Sequence, residues 1–287
     1  MVITGDLLRE YLRKADKQGF AVPAFNYSDI WDLLAIVETA KEEKAPVMLA
    51  SNPLVVRDIG VEICGAMGAA IMKKETQPFF HHLDHSSSVE LCFAAIENGY
   101  PSVMIDASKL SLAENIKISK KVTDYAKKKK AHVEAEIGKI RGAGIEGAYS
   151  GSGLDFLAKP DEAKELADKA GIDSLAVGIG TAHGFYAGKP EIYFDRLAEI
   201  NEAVSVPLVL HGGSGIPEED IRRAIKNGIN KVNVGTIIHC TYMNTMKKTL
   251  NEMPENPYTL DVVKPVLKEV KEIVRAWIRV CMAEKKV

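Results

Sequence analysis

Eight short apolar runs alternate with helix-length segments along this chain, and that alternation limits the fold more than any other feature. The runs are residues 20–25, 46–50, 78–82, 102–105, 131–137, 174–177, 206–210 and 231–234. Between them, amphipathic patterns predict helices over 29–44, 57–74, 86–98, 112–128, 161–170, 194–203 and 218–227. Eight strand–helix units over this length suggest an α/β fold, a (β/α)8 TIM barrel occupying residues 1–287 as a single domain. A doubly wound sheet is the structural rival. The barrel asks for functional side chains just after its strands, on one face. Asn26, Ser51, His85, Asp106, Glu136, His183, His211 and Asn233 all stand at or just beyond run ends, which a doubly wound sheet does not require. The tail, 257–285, reads as one extended C-terminal helix, longer than barrel closure needs and suited to packing on a partner subunit.

Composition narrows the class. Apolar residues make up 46% of the chain, enough for a sizeable core, and the net charge of -2 argues against wholesale nucleic-acid binding. The run Lys127 to Lys130 closes an amphipathic helix, where cations suit the helix dipole, and reads as a solvated helix end. Cys64, Cys92, Cys240 and Cys281 are far apart and form no CxxC pair, which points to a reducing compartment and a cytoplasmic protein. Asp6, Arg9 and Glu10 occupy the place where a signal peptide needs an apolar stretch, and no window offers the ~20 apolar residues of a membrane span.

The chemistry concentrates at His81-His82-Leu83-Asp84-His85, at the end of the third run. Imidazole is a usual zinc ligand, and a neighbouring carboxylate can move a proton. Alternate residues of a strand share a face. Asp84 and His85 therefore point apart unless a turn intervenes. Some of these histidines are then structural, and His81 and His82 read so. His183, in Gly180-Thr181-Ala182-His183-Gly184, and His211, before Gly212-Gly213-Ser214-Gly215, stand at two further run ends. Either alone reads as a core histidine. Three at strand ends on one barrel face, leaving a fourth position open, match a catalytic zinc site. The glycine-rich stretch after His211 and the run Asn233-Val234-Gly235-Thr236 follow the seventh and eighth strands, where such barrels often hold a phosphate. Alone, the first is as often a turn. Metal, carboxylate and phosphate site together point to chemistry on a phosphorylated carbonyl compound.

With these motifs in order, the sequence closely resembles the class II, zinc-dependent ketose-bisphosphate aldolases, fructose- and tagatose-bisphosphate aldolases among them. The markers run from Val22-Pro23-Ala24-Phe25-Asn26 through His82-Leu83-Asp84-His85, Ser102-Val103-Met104-Ile105-Asp106 and Val133-Glu134-Ala135-Glu136. They continue through Thr181-Ala182-His183-Gly184 and the run 206–215 to Lys231-Val232-Asn233-Val234. The resemblance implies Asp84 as the proton-transfer carboxylate and His85, His183 and His211 as zinc ligands. It implies Asp106 and Glu136 beside an alternative metal position, and Asn233 steadying the enediolate. Asn26 and Ser51 match substrate contacts, while Gly184, Gly212, Ser214 and Thr236 match the phosphate cradle; Gly213 and Gly235 are further substrate-binding candidates, Gly235 standing where the family frequently has Asp. It further implies a sugar-phosphate substrate, a homodimer or homotetramer, and room beside the cradle for a monovalent cation, Na+ or K+. The expected reaction is reversible cleavage of a ketose 1-phosphate or 1,6-bisphosphate to dihydroxyacetone phosphate and an aldehyde.

Two departures stand out. The family follows its fifth-strand motif with a loop carrying a proton-transfer glutamate. Here the glycine-rich segment 138–153 offers Glu146 as the nearest substitute, and Asp155, beyond it, is a more distant one. That segment reads as a lid over the barrel mouth. Bisphosphate members also carry an arginine before the last helix that holds the distal phosphate, and none stands around Tyr258 to Lys264. Lys264 and Arg57 are possible substitutes. Two other functions compete: a zinc hydrolase on the same barrel, and an inactive sugar-phosphate-binding homologue.

Overall fold

In the computed structural model, which describes residues 3–140, 156–184 and 190–287, eight parallel strands close into a barrel in chain order. They are β1 (Val22–Asn26), β2 (Val47–Ser51), β3 (Phe79–Ser86), β4 (Ser102–Ile105), β5 (His132–Ile137), β6 (Ser174–Val177), β7 (Leu208–Leu210) and β8 (Ile229–Val234). β8 pairs back onto β1 from Val22↔Lys231 to Phe25↔Val234. Both faces of these strands are covered, which is why they read as near-continuous apolar runs and not as alternations. The pairing of β8 with β1 excludes the doubly wound alternative, whose sheet is open.

The helices are α1 (Gly5–Gln18), α2 (Ile30–Glu43), α3 (Pro53–Ile59), α4 (Val61–Lys74), α5 (Val89–Glu97), α6 (Leu112–Lys129), α7 (Pro160–Ala170), α8 (Phe194–Ala203), α9 (Glu218–Lys226), α10 (Thr236–Glu252) and α11 (Thr259–Val280). Three differ from the sequence expectation for local reasons. The helix expected over 57–74 is broken at Gly60, whose φ of 98° ends α3, and Asn52 caps α3 with Pro53 in its first turn. The helix expected from residue 86 starts at Val89, because Ser86 still belongs to β3 and Ser88 caps α5. The tail helix ends at Val280.

α1 and α10 lie outside the sequence expectation. α1 buries Leu8, Leu12 and Ala15 against the end of the barrel where the strands begin. Arg9 anchors it there, donating to both oxygens of Asp173 at 2.6 and 2.8 Å and to the Ala131 carbonyl at 2.7 Å. α10 takes the place after β8 that the tail was expected to fill. α11 therefore packs on its own chain, against α2 and α10. Its buried row, Val262, Val266, Val270, Val274 and Ile278, recurs every four residues. Arg275 and Arg279 tie it to Glu43, both at 2.9 Å. The tail helix thus buries this apolar row within its own chain. Among the described residues no helix is long and apolar enough to cross a membrane.

Candidate active site

The site is built at the ends of β1, β3, β4, β5, β6, β7 and β8, and its centre depends on one backbone irregularity. β3 shifts register against β4 between Leu83 and Ser86, and within that step His85 takes φ of 50°. A left-handed histidine is uncommon and costs about 1–2 kcal/mol. The irregularity breaks the alternation that separates adjacent side chains in a regular strand, and Asp84 and His85 both line the same cavity.

Asp84 is 3% exposed, and both of its oxygens are held. Asn26 donates to Oδ2 at 2.8 Å and Asn233 to Oδ1 at 2.9 Å. Burial pushes its carboxyl up, but His85, His211, Lys231 and the Asn26 hydrogen bond outweigh it, and the group lies below the ordinary carboxylate range. It stands ready as an ionised base. The sequence reading gave Asn26 and Asn233 roles toward substrate. Both line the cavity, and both also orient Asp84.

The structure brings His85, His183 and His211 together, with one nitrogen of each within 4.8 Å of the others. His85 Nε2 lies 2.7 Å from His211 Nδ1. Burial, aided by the charge of His85, pushes His183 down to about 4 and His211 well below its usual range. Neutral rings with lone pairs turned inward are what a metal requires. His85, Asp106 and Glu136 form a second grouping of the same tightness. In it, His85 Nδ1 lies 3.5 Å from Asp106 and 4.0 Å from Glu136. The donor set, three imidazoles with two carboxylates to one side, fits zinc.

The cradle follows. Gly212 has φ of 70°, and a Cβ there would meet the Ala182 carbonyl oxygen at 2.2 Å, so only glycine lets the loops after β6 and β7 approach. Ser214 Oγ accepts the Ile237 N–H at 3.2 Å, joining the β7 loop to the first turn of α10. Gly235 at the N-cap offers no side chain to that helix, so apart from the Ser214 contact its N-terminus faces the cavity as an anion site. A Cβ at 235 would come within 3.0 Å of Asn26 Oδ1, a physical reason for a residue without a side chain beside Asp84's partner.

The cavity has a volume of about 370 Å³, within the range for small-molecule sites. Asn26, Asp84, His85, His183, Gly184, Gly212, Ser214, Asn233, Gly235 and Thr236 line it. Other expected residues stand elsewhere. Ser51, expected to touch substrate, is fully buried and its hydroxyl is shared with Tyr100 at 2.9 Å. Gly213 is buried in the turn Gly213–Gly215, and His211, wholly buried, lies beneath the cavity wall. Glu146 and Asp155, and with them most of the expected lid, lie outside the described residues.

Sequence reasoning missed two kinds of residue. Asn52, Leu54, Val55 and His239 also line the cavity. They come from the unforeseen α3 and α10, so no strand-end rule could reach them. Lys231 and Glu134 are fully buried and paired at 2.7 Å beneath the histidines. Their signal was present, since each precedes a site residue by two positions and so shares its face. His81 and His82 serve the interior, as read. His81 stacks on Tyr100 at 3.8 Å and meets the Tyr27 hydroxyl at 2.9 Å, while His82 meets Ser102 at 2.8 Å.

A family model, fructose-bisphosphate aldolase class-II, matches residues 6–286. The crystal structure of the YdjI aldolase from Escherichia coli K12 is similar over 99% of both chains, with 30% identity and a TM-score of 0.86. That of a putative fructose-1,6-bisphosphate aldolase from Coccidioides immitis is similar over 96% of both, with 27% identity and a TM-score of 0.87. The fructose-bisphosphate aldolase of Campylobacter jejuni shares the fold, at a TM-score of 0.84 and 19% identity over 99% of this chain and 97% of that one.

Proposed function

The chain belongs to the class II fructose-bisphosphate aldolase family and is an aldolase, and from that premise we propose that it is a zinc-dependent enzyme cleaving a ketose 1-phosphate or 1,6-bisphosphate to dihydroxyacetone phosphate and an aldehyde. The observation that carries the reading is Asp84, held at both oxygens, beside three convergent imidazoles and a helix N-terminus whose N-cap is glycine.

His85, His183 and His211 would hold the metal, with Asp106 and Glu136 beside the alternative position. When bound, zinc supplies a Lewis acid that polarises the C2 carbonyl. The substrate's phosphate rests on the loop of Gly212 and Ser214 and on the first turn of α10 at Gly235 and Thr236. Asp84 takes the proton of the C4 hydroxyl. The C3–C4 bond then breaks, its electron pair moves toward C2, and the aldehyde leaves. Asn26 and Asn233 keep the Asp84 carboxylate aimed throughout. Asn233 Oδ1 is buried without a hydrogen-bond partner among the described residues, and a substrate hydroxyl satisfies it. C3 takes up a proton to complete dihydroxyacetone phosphate, and we assign that proton to Glu146.

The aldehyde half is proposed to lack a strongly held phosphate. Among the described residues lining the cavity there is no lysine or arginine, and Leu54 and Val55 form part of the wall. The two substitutes suggested by the sequence are engaged elsewhere. Arg57 pairs with Asp58 at 2.7 Å and Lys264 with Asp261 at 3.8 Å, all on the surface.

Incubation with dihydroxyacetone phosphate in heavy water tests the reading. Exchange at C3 that stops on chelation and returns with zinc is the expected result. Binding of dihydroxyacetone phosphate without exchange, in zinc-loaded protein, would instead indicate an inactive sugar-phosphate-binding homologue.

A further inference from the structure

Beneath the three imidazoles lies a buried ion pair that the cleavage scheme does not use. Glu134 Oε2 accepts from Lys231 Nζ at 2.7 Å, and neither side chain reaches solvent. Ser174 Oγ is 3.3 Å from the same oxygen. Lys231 Nζ lies 3.4 Å from His82 Nε2, and the other nitrogen of His82 meets Ser102. The second oxygen of Glu134, Oε1, is 3.0 Å from His211 Nε2. His211 therefore sits between two demands, with Nε2 on Glu134 and Nδ1 turned to His85 Nε2 at 2.7 Å.

A carboxylate ion-paired to lysine only accepts hydrogen bonds. The hydrogen in the Glu134–His211 contact must then reside on Nε2, which leaves the lone pair on Nδ1. The Asn233 amide nitrogen gives one of its two hydrogens to Asp84 at 2.9 Å, and its contact with the same Nε2, at 3.3 Å, is longer than that of Glu134 at 3.0 Å. We infer that Glu134, fixed by Lys231, is a positioning residue that sets the tautomer of His211 so that Nδ1 faces the metal position. The inference rests on the reading of His211 as a metal ligand. It assigns a task to two charged residues whose burial would otherwise cost more than their pairing returns.

Lys231 makes the inference testable. In Glu134→Gln the lysine still requires an oxygen at the Oε2 position, so the amide NH2 is turned toward His211. His211 Nε2 must then accept, and its proton moves to Nδ1, where it blocks the metal. Replacing Lys231 as well frees the amide to turn its oxygen back to His211. The two outcomes separate a tautomer effect from a loss of packing.

Zinc affinity, measured by competition with a chromophoric chelator, is expected to fall about 10- to 100-fold in Glu134→Gln, the usual effect of losing a group that orients a ligand. It is expected to recover most of that loss in Glu134→Gln/Lys231→Met. A Glu134→Gln protein that binds zinc within two-fold of the parent overturns the inference. So does a double variant no tighter than Glu134→Gln. Long-range 1H–15N correlation on the zinc-loaded parent needs no variant. Its expected result is a proton on His211 Nε2, and a proton on Nδ1 overturns the inference. His211→Ala separates the two readings. If it keeps parental zinc affinity, the ligand assignment fails. If it loses zinc while Glu134→Gln does not, the ligand assignment stands and the tautomer role falls.

Discussion

His85 takes φ of 50° in the third strand of the barrel, and this single dihedral brings the candidate base and a candidate ligand to one cavity. Backbone strain of this kind persists where the surroundings over-determine it. Here Asp84 on one side is gripped by Asn26 and Asn233, and His85 on the other faces His211, Asp106 and Glu136. Among the described residues Asp84 belongs to neither metal grouping. Asp84→Ala is expected to keep its zinc, while cleavage falls by about 10²- to 10⁴-fold, the usual contribution of a positioned acid or base. Proton exchange of dihydroxyacetone phosphate is expected to suffer less, because it involves no C4 hydroxyl. Zinc content by atomic absorption and parallel cleavage and exchange assays check this. A metal-free Asp84→Ala protein would assign Asp84 to the ligands.

At the scale of elements, α1 carries no site residue yet closes the barrel end opposite the cavity. Its anchor is the Arg9–Asp173 pair, whose side chains are 18% and 14% exposed. Asp173 also accepts the Val133 N–H at 2.8 Å, so one carboxylate joins α1, β5 and the entrance to β6. Removing it leaves the Arg9 guanidinium with only Asp6 and the Ala131 carbonyl, and leaves the Val133 N–H without this acceptor. Asp173→Ala is expected to destabilise the fold by about 3 kcal/mol, read as a lower thermal midpoint. Metal affinity should change little, since the cavity lies at the other end of the strands. A parental midpoint in Asp173→Ala would show that α1 docks through Leu8, Leu12 and Ala15 alone. α10 and α11 show a different division of labour. α10 closes the barrel and supplies the cradle, and α11 lies over α10 and α2 as an outer layer.

For the whole molecule, two expectations concern what meets the barrel from outside. The first is substrate. A charge-assisted contact to phosphate contributes about 1.5–3 kcal/mol, roughly ten- to a hundred-fold in binding. With Leu54 and Val55 on the cavity wall, kcat/KM for fructose 1,6-bisphosphate or tagatose 1,6-bisphosphate is expected to stay within a hundred-fold of that for fructose 1-phosphate. A larger preference would reveal a firm distal phosphate site. The second is assembly. Met243 and Leu250, seven residues apart on α10, are 48% and 47% exposed, and Tyr258 just beyond is 68% exposed. These surfaces are a proposed contact in a homodimer or homotetramer. Sedimentation should give two or four times the 31.4 kDa of one chain, and Leu250→Glu should lower it. A monomeric parent would dismiss the assembly.

The sequence alone determined the barrel, the ends of its strands apart from β3, which runs on to Ser86, and the identity of His85, His183, His211 and Asp84 as one group. It could do so because strand alternation and the rule that barrel chemistry follows the strands are both local in the chain. It left α1 unread, because α1 precedes the first strand and no alternation calls for it. It merged α3 with α4, because Gly60 within a helical pattern is only a weak stop signal. Tertiary structure alone decided three things. The left-handed turn at His85 arises from the register of β3 against β4, which no single strand encodes. Ser51 left the cavity because Tyr100, 49 residues away, takes its hydroxyl. Glu134 and Lys231, separated by 97 residues, became partners because barrel closure brings β5 and β8 to face each other across an interior too dry for either charge to stand alone.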